Sequence, residues 1–161
     1  MSNIMSIENW EFLKPIQKNW RRILTEYISI HDQTQDWFQP ELYSGTWKTF
    51  GLVYNREFLN EKLCPFTSGL LREIPSVFIA GFSILDPHTV IHPHIGFTDK
   101  VLRSHLGLIC PQGPTPPWLK VGDDTTGWRD GEMFVFNDTL LHSAENPTDK
   151  QRVVLILDFY K

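Results

Sequence analysis

The sequence predicts an all-β core, a double-stranded β-helix (a cupin-like jelly roll), with N-terminal helices packed outside it. Three observations carry this reading. Eight short runs rich in Val, Ile, Phe and Tyr occupy the chain from Gly45 onward. Asp-Pro, Pro-Gln-Gly-Pro, Gly-Asp-Asp and Asn-Pro-Thr-Asp segments, all turn chemistry, separate them. These separators are too short to hold crossover helices, so antiparallel pairing is expected rather than a parallel α/β sheet. Two facing sheets built from such strands leave a mouth lined by inward-pointing side chains, a natural ligand cavity.

The 161 residues are read as one domain, 1–161, with an N-terminal helical region (1–44) and a jelly-roll core (45–161). Pro15 suits the first turn of a helix, and Ile16, Trp20, Ile23, Leu24 and Tyr27 follow at helical spacing. Lys18, Arg21 and Arg22 fall between them, as on a helix with one face against a sheet. A second short helix is expected between Asn60 and Arg72, weakened by Pro65 and Gly69. The strand runs start at Gly45 (GTWKTFGLVY), Ser76 (SVFIAGFSIL), Thr89 (TVIHPHI) and Val101 (VLRSHLGLIC). They continue at Trp118 (WLKVG), Glu132 (EMFVF), Leu140 (LLHSA) and Arg152 (RVVLILDFY).

Composition narrows the function. Hydrophobic residues at 41% and charged residues at 21% are those of an ordinary globular protein. A net charge of −4 without a basic run argues against nucleic acid or an anionic membrane as the partner. No apolar run approaches the roughly 20 residues that span a bilayer. The first residues carry acidic and aromatic side chains where a signal peptide has a basic and then an apolar segment, so a cytoplasmic location is expected. Cys64 and Cys110 stand far apart, without a metal or redox spacing, and read as buried thiols.

Five of the six histidines, His88, His92, His94, His105 and His142, lie in the strand-rich part. Residues two apart on a strand share a face, which would group His92 with His94 and Arg103 with His105. Polar, titratable side chains aimed into a barrel need partners, and a cluster of them points to a site. His94 and His142, on separate strands, suit ferrous iron as imidazole donors. The usual non-haem iron site adds a carboxylate two residues after the first His; this chain has Gly96 there.

The stretch HPHIGFTDKVLRSHLGLICP, followed by WRDGEMFVFNDTLLHSAENPTDKQRVVLILDFY, resembles the aspartyl/asparaginyl β-hydroxylase family. The shared motifs are His-x-Gly, Arg-x-His-Leu-Gly-Leu, Trp-x-x-Gly, Phe-x-Asp with a following His, and Arg opening an apolar strand that ends in Asp. The resemblance implies two histidines and water around iron, which accounts for Gly96. It implies His94 and His142 as the metal ligands, with Asp138 holding metal-bound water. It further implies Arg152 and Ser83 on the distal carboxylate of 2-oxoglutarate, with Arg103 and His105 at its metal-chelating end.

The cofactors so implied are Fe(II), 2-oxoglutarate and O2. The implied reaction is dioxygenase chemistry: hydroxylation of an unactivated C–H bond, with release of succinate and CO2. The chain lacks the membrane anchor and helical repeat region of larger relatives, so the expected substrate is an amino acid, a peptide, a carrier-tethered group or an acyl chain. Two alternatives use the same residues. One is a halogenase, with halide at the position the missing carboxylate leaves open; the other is a non-catalytic cupin-like metal- or ligand-binding module.

Overall fold

The computed structural model describes residues 2–161. The elements are β1 (Ile4–Ser6), α1 (Lys14–Lys18), α2 (Trp20–Ile30), β2 (Gln35–Asp36), β3 (Tyr43–Ser44), β4 (Trp47–Tyr54), β5 (Glu57–Phe58), α3 (Pro65–Arg72) and β6 (Val77–Leu85). They continue with β7 (Thr89–His94), β8 (Val101–Ile109), β9 (Trp118–Val121), β10 (Asp124–Gly127), β11 (Met133–Phe136), β12 (His142–Asn146) and β13 (Arg152–Tyr160). Every pairing among the described residues is antiparallel. One sheet runs β1-β11-β8-β13-β6-β4-β2, with β5 beside β4; the other runs β10-β9-β12-β7-β3. The jelly roll expected from the sequence is the observed architecture.

The larger sheet is apolar on both faces. Along β13 the odd positions Val153, Leu155 and Leu157 join a core beneath the helices, while Val154 and Ile156 join the core between the sheets. This period-two alternation is what a strand requires, and it gives β13 its continuous apolar reading in the sequence. The helices cover the outer face. In α2, Ile23, Tyr27 and Ile30 are buried at i, i+4 and i+7. Glu26 on the same helix accepts from the backbone N–H groups of Phe66 and Thr67, tying down the start of α3. Among the described residues no helix is long and apolar enough to cross a membrane.

Residues 2–44 are only partly helical. β1 pairs with β11, β2 with β4 and β3 with β7, so this region supplies strands to both sheets. Asn19 interrupts the expected single helix and separates α1 from α2. β10 was not expected from the sequence, because its Asp-Thr-Thr-Gly is polar and carries no apolar alternation.

A local irregularity in β7 sets the direction of its histidines. Ala144 of β12 faces Ile91 of β7, yet His142 faces His94: two residues on one strand span three on the other. This is a β-bulge, and it accommodates Pro93, which cannot donate to a ladder. It also corrects the expectation that His92 and His94 share a face. His92 is exposed and bonds Ser44 Oγ through Nε2 at 2.9 Å, whereas His94 turns inward with Ile91.

Candidate active site

The inward side chains of β13, β8 and β6 meet those of β7 and β12 in the barrel. On β13 these are Arg152, Val154, Ile156 and Asp158; on β8, Arg103 and His105; on β6, Ser83. Six of the seven residues expected in a site, His94, His142, Arg103, His105, Ser83 and Arg152, line one narrow inner cavity. The seventh, Asp138, lines an outer cavity that shares Trp47, His94, Arg103, His142 and Ile156 with the inner one. The two compartments therefore meet at the histidine pair.

His94 and His142 are direct cross-strand partners with ring centroids 4.3 Å apart. Each donates Nδ1–H to the carbonyl two residues earlier, His92 or Leu140, at 2.8 Å. A carbonyl only accepts, so both rings carry their proton on Nδ1 and keep Nε2 as the bare, ligating nitrogen. Burial pushes the His142 pKa down to about 4 against the opposing bond to the Leu140 carbonyl, and the Arg103 charge adds to the fall, which keeps the ring neutral.

The surroundings of Gly96 show why no carboxylate stands two residues after His94. A Cβ there would collide with the Asp138 carboxylate, and the Gly96 N–H already donates to the Asp138 carbonyl at 2.7 Å. Asp138 occupies the space a side chain at 96 would need. It is 4% exposed and its Oδ1 accepts from no described residue. Burial raises its pKa, and Arg103, 3.9 Å away, opposes the rise. Among the described residues no group of three or more His, Cys, Asp and Glu is placed to hold a metal; the donor set is two imidazoles with an acceptor nearby.

The inner cavity holds an excess of hydrogen-bond donors. Arg152 is 2% exposed, and its Nη2 donates to Ser83 Oγ (3.1 Å) and to the Ser83 carbonyl (3.3 Å). No carboxylate among the described residues pairs with it, and its Nε has no partner. Burial pulls its pKa down to about 9. Ser83 Oγ also accepts from Trp47 Nε1 at 2.9 Å, so its own proton is left to donate. His105 Nδ1 accepts from Trp128 Nε1 at 3.0 Å, which places the imidazole proton on Nε2. That Nε2–H is buried without an acceptor. Three donors converge on a space with no anion of its own, and an unpaired buried guanidinium costs several kcal/mol. Such a donor set suits an anionic, oxygen-rich group, and a carboxylate meets both demands.

Arg103 is different. Its Nε and Nη2 each lie 2.8 Å from a carboxylate oxygen of Asp158, its cross-strand neighbour. Burial alone would lower its pKa, and Asp158 more than reverses this, so the guanidinium is permanently charged and already neutralised.

In the sequence Trp128 stands out only through the Trp-x-x-Gly motif and Asp158 only as the end of a strand. Trp128 carries two polar duties: its indole N–H sets the His105 tautomer, and its ring lies 4.5 Å from the Arg152 guanidinium. The Trp-x-x-Gly motif was the available signal. Trp47, expected as core strand, likewise lines both compartments. His88 is exposed and bonds Asp149, away from either cavity, and Cys64 and Cys110 are buried free thiols.

Several known proteins resemble this chain in sequence or in fold. Ornithine lipid ester-linked acyl 2-hydroxylase of Rhizobium tropici is 39% identical over 71% of this chain and 42% of its own length. Human aspartyl/asparaginyl beta-hydroxylase is 28% identical over 93% of this chain and 21% of its own length. The chain thus spans less than half the length of these curated relatives. Among solved structures, a Pseudomonas putida prolyl-4-hydroxylase superposes with a TM-score of 0.60 at 12% identity, covering 90% of this chain and 87% of that one, which supports the fold. A family profile described as Aspartyl/Asparaginyl beta-hydroxylase matches residues 17–161. The chain belongs to the aspartyl/asparaginyl β-hydroxylase family.

Proposed function

We propose that this chain is an iron(II)- and 2-oxoglutarate-dependent dioxygenase that hydroxylates an unactivated C–H bond of an amino acid, a peptide or another small substrate. The observation that carries the reading is the pairing of two bare imidazole nitrogens with a buried arginine that lacks a counter-ion, all on one cavity. His94 and His142 would hold the metal. Arg152 and Ser83 would take the distal carboxylate of 2-oxoglutarate, and the His105 Nε2–H would donate to its other end. Asp138 Oδ1, free and buried beside Gly96, would accept from metal-bound water. Bound iron with 2-oxoglutarate supplies the activation of O2, so that R–H, O2 and 2-oxoglutarate become R–OH, succinate and CO2.

The protein's own contribution is placement. The bulge in β7 turns His94 inward, the carbonyls of His92 and Leu140 fix both tautomers, and Trp128 and Ser83 hold the donors that receive the cosubstrate. The apolar walls around them exclude water, which strengthens each charge interaction.

The test is an anaerobic titration of iron-loaded protein with 2-oxoglutarate, monitored by the weak visible charge-transfer band of the chelate. Wild type should give the band, His142→Ala should lose it, and Arg152→Met should require far more 2-oxoglutarate. No band in fully iron-loaded wild type would overturn the proposal.

A further inference from the structure

The outer compartment, about 290 Å³, is where a substrate would reach the histidine pair. We infer that it receives an apolar hydrocarbon chain, an acyl group, rather than an acidic side chain. The inference rests on the oxygenase reading for its purpose, and on the compartment's own walls for its content.

Those walls are mostly apolar or aromatic; Trp37, Leu42, Val53, Leu59, Ile79 and Ile95 are among them. Trp37 stacks on Trp47 with centroids 4.0 Å apart and planes within 2°, forming a flat floor that continues to the inner cavity. Arg103 and Asp138 are the guanidinium and carboxylate groups that reach the compartment, and they answer one another at 3.9 Å. Arg103 is in addition bound by two hydrogen bonds to Asp158. No free cation among the described lining residues is left to neutralise a substrate carboxylate, and burying an unpaired carboxylate is costly. The inner compartment, with Arg152 unpaired, makes the opposite demand; the charge asymmetry directs the cosubstrate inward and leaves the outer space to a neutral group.

The mouth extends the same chemistry. Phe38 is 72% exposed, Phe97 76% and Ile95 62%, and all three line this compartment. Exposed apolar residues gathered at a cavity entrance mark a binding surface more than scattered ones do. A chain passing over them into the cavity remains in apolar surroundings for its whole path.

Two probes test this: N-dodecanoyl glycinamide, a neutral acyl chain, and the peptide amide acetyl-Gly-Asp-Gly-NH2. Binding is read from tryptophan emission, since Trp37 and Trp47 line the cavity. The acyl probe should saturate the signal, and Phe97→Ser or Ile95→Asp should weaken it about tenfold. Both positions are largely exposed, so their melting temperatures should stay near wild type. The acidic peptide should not saturate in wild type, and Leu59→Lys, which adds a free cation, should improve its binding. Equal or tighter binding of the acidic peptide to wild type, or acyl binding untouched by both mouth variants, would overturn the inference.

Vesicles of phosphatidylcholine separate two sources of the chain. Cosedimentation lost in Phe97→Ser supports a membrane lipid; acyl-probe binding without cosedimentation supports a soluble carrier of the same chain. 2-Oxoglutarate titrated into the same samples keeps the two readings apart. Acyl binding without 2-oxoglutarate binding would sink the oxygenase proposal alone, and the reverse would sink the acyl inference alone.

Discussion

Arg103 and Arg152 stand on neighbouring strands of one sheet, both inside the barrel, and the protein treats them in opposite ways. Arg103 is clamped by Asp158 across the strand pair and has Asp138 nearby. Arg152 has a serine, an indole face and no carboxylate. The first arrangement is complete in the protein alone. The second is incomplete, and under the proposed function it holds a charge ready for a ligand at a cost in folding free energy. Both are buried, so the difference lies in the partners; an arginine's function is read from what it lacks.

The largest effect should come from breaking the complete pair. Asp158→Ala leaves Arg103 buried and uncompensated, and should cost about 3–5 kcal/mol of stability, seen as a lower denaturation midpoint. Arg152→Met should do the reverse to the metal-free protein, leaving its midpoint unchanged or raised. The same substitution should weaken 2-oxoglutarate binding by about a hundredfold or more, measured by calorimetry. If Arg152→Met destabilised the protein as Asp158→Ala does, the contrast would collapse.

A smaller effect sharpens the comparison. Trp128→Phe keeps an aromatic face under Arg152 but frees the His105 tautomer, and should weaken 2-oxoglutarate about tenfold. Nitrogen chemical shifts of His105 should show protonation moving from Nε2 towards Nδ1; an unchanged tautomer would remove the role given to Trp128. The smallest effect is on pH. His105 and His142 are held neutral by burial, the latter down to about pH 4. The unfolded chain takes up protons on these rings from about pH 6.5 downward and the folded chain does not. Stability of the metal-free protein is therefore full above that value and falls as pH drops towards 4. Its melting temperature should decline by several degrees between about pH 7 and about pH 5, and by less in His142→Phe.

Much of this was legible in the sequence, for definite reasons. Strands such as β6 and β13 are apolar on both faces, so their residues announce them without help from neighbours. Arg103 and His105 obey simple alternation and do share the cavity. Reading failed where identity and context part. Ile4-Met5-Ser6 is too short to signal a strand until β11 lies beside it. Trp128 looks like any core tryptophan until the positions of His105 and Arg152 are known. His92 and His94 look equivalent until the pairing of β7 is counted residue by residue.

Which histidine faces the barrel depends on parity: one extra residue beside Pro93 decides it. Deleting a single residue between Ile91 and His94 would leave both candidate metal ligands present in the sequence, and would swing His94 out to solvent. A comparison that scores only which residues are retained would pass that variant as intact, although its site would have been taken apart by arithmetic.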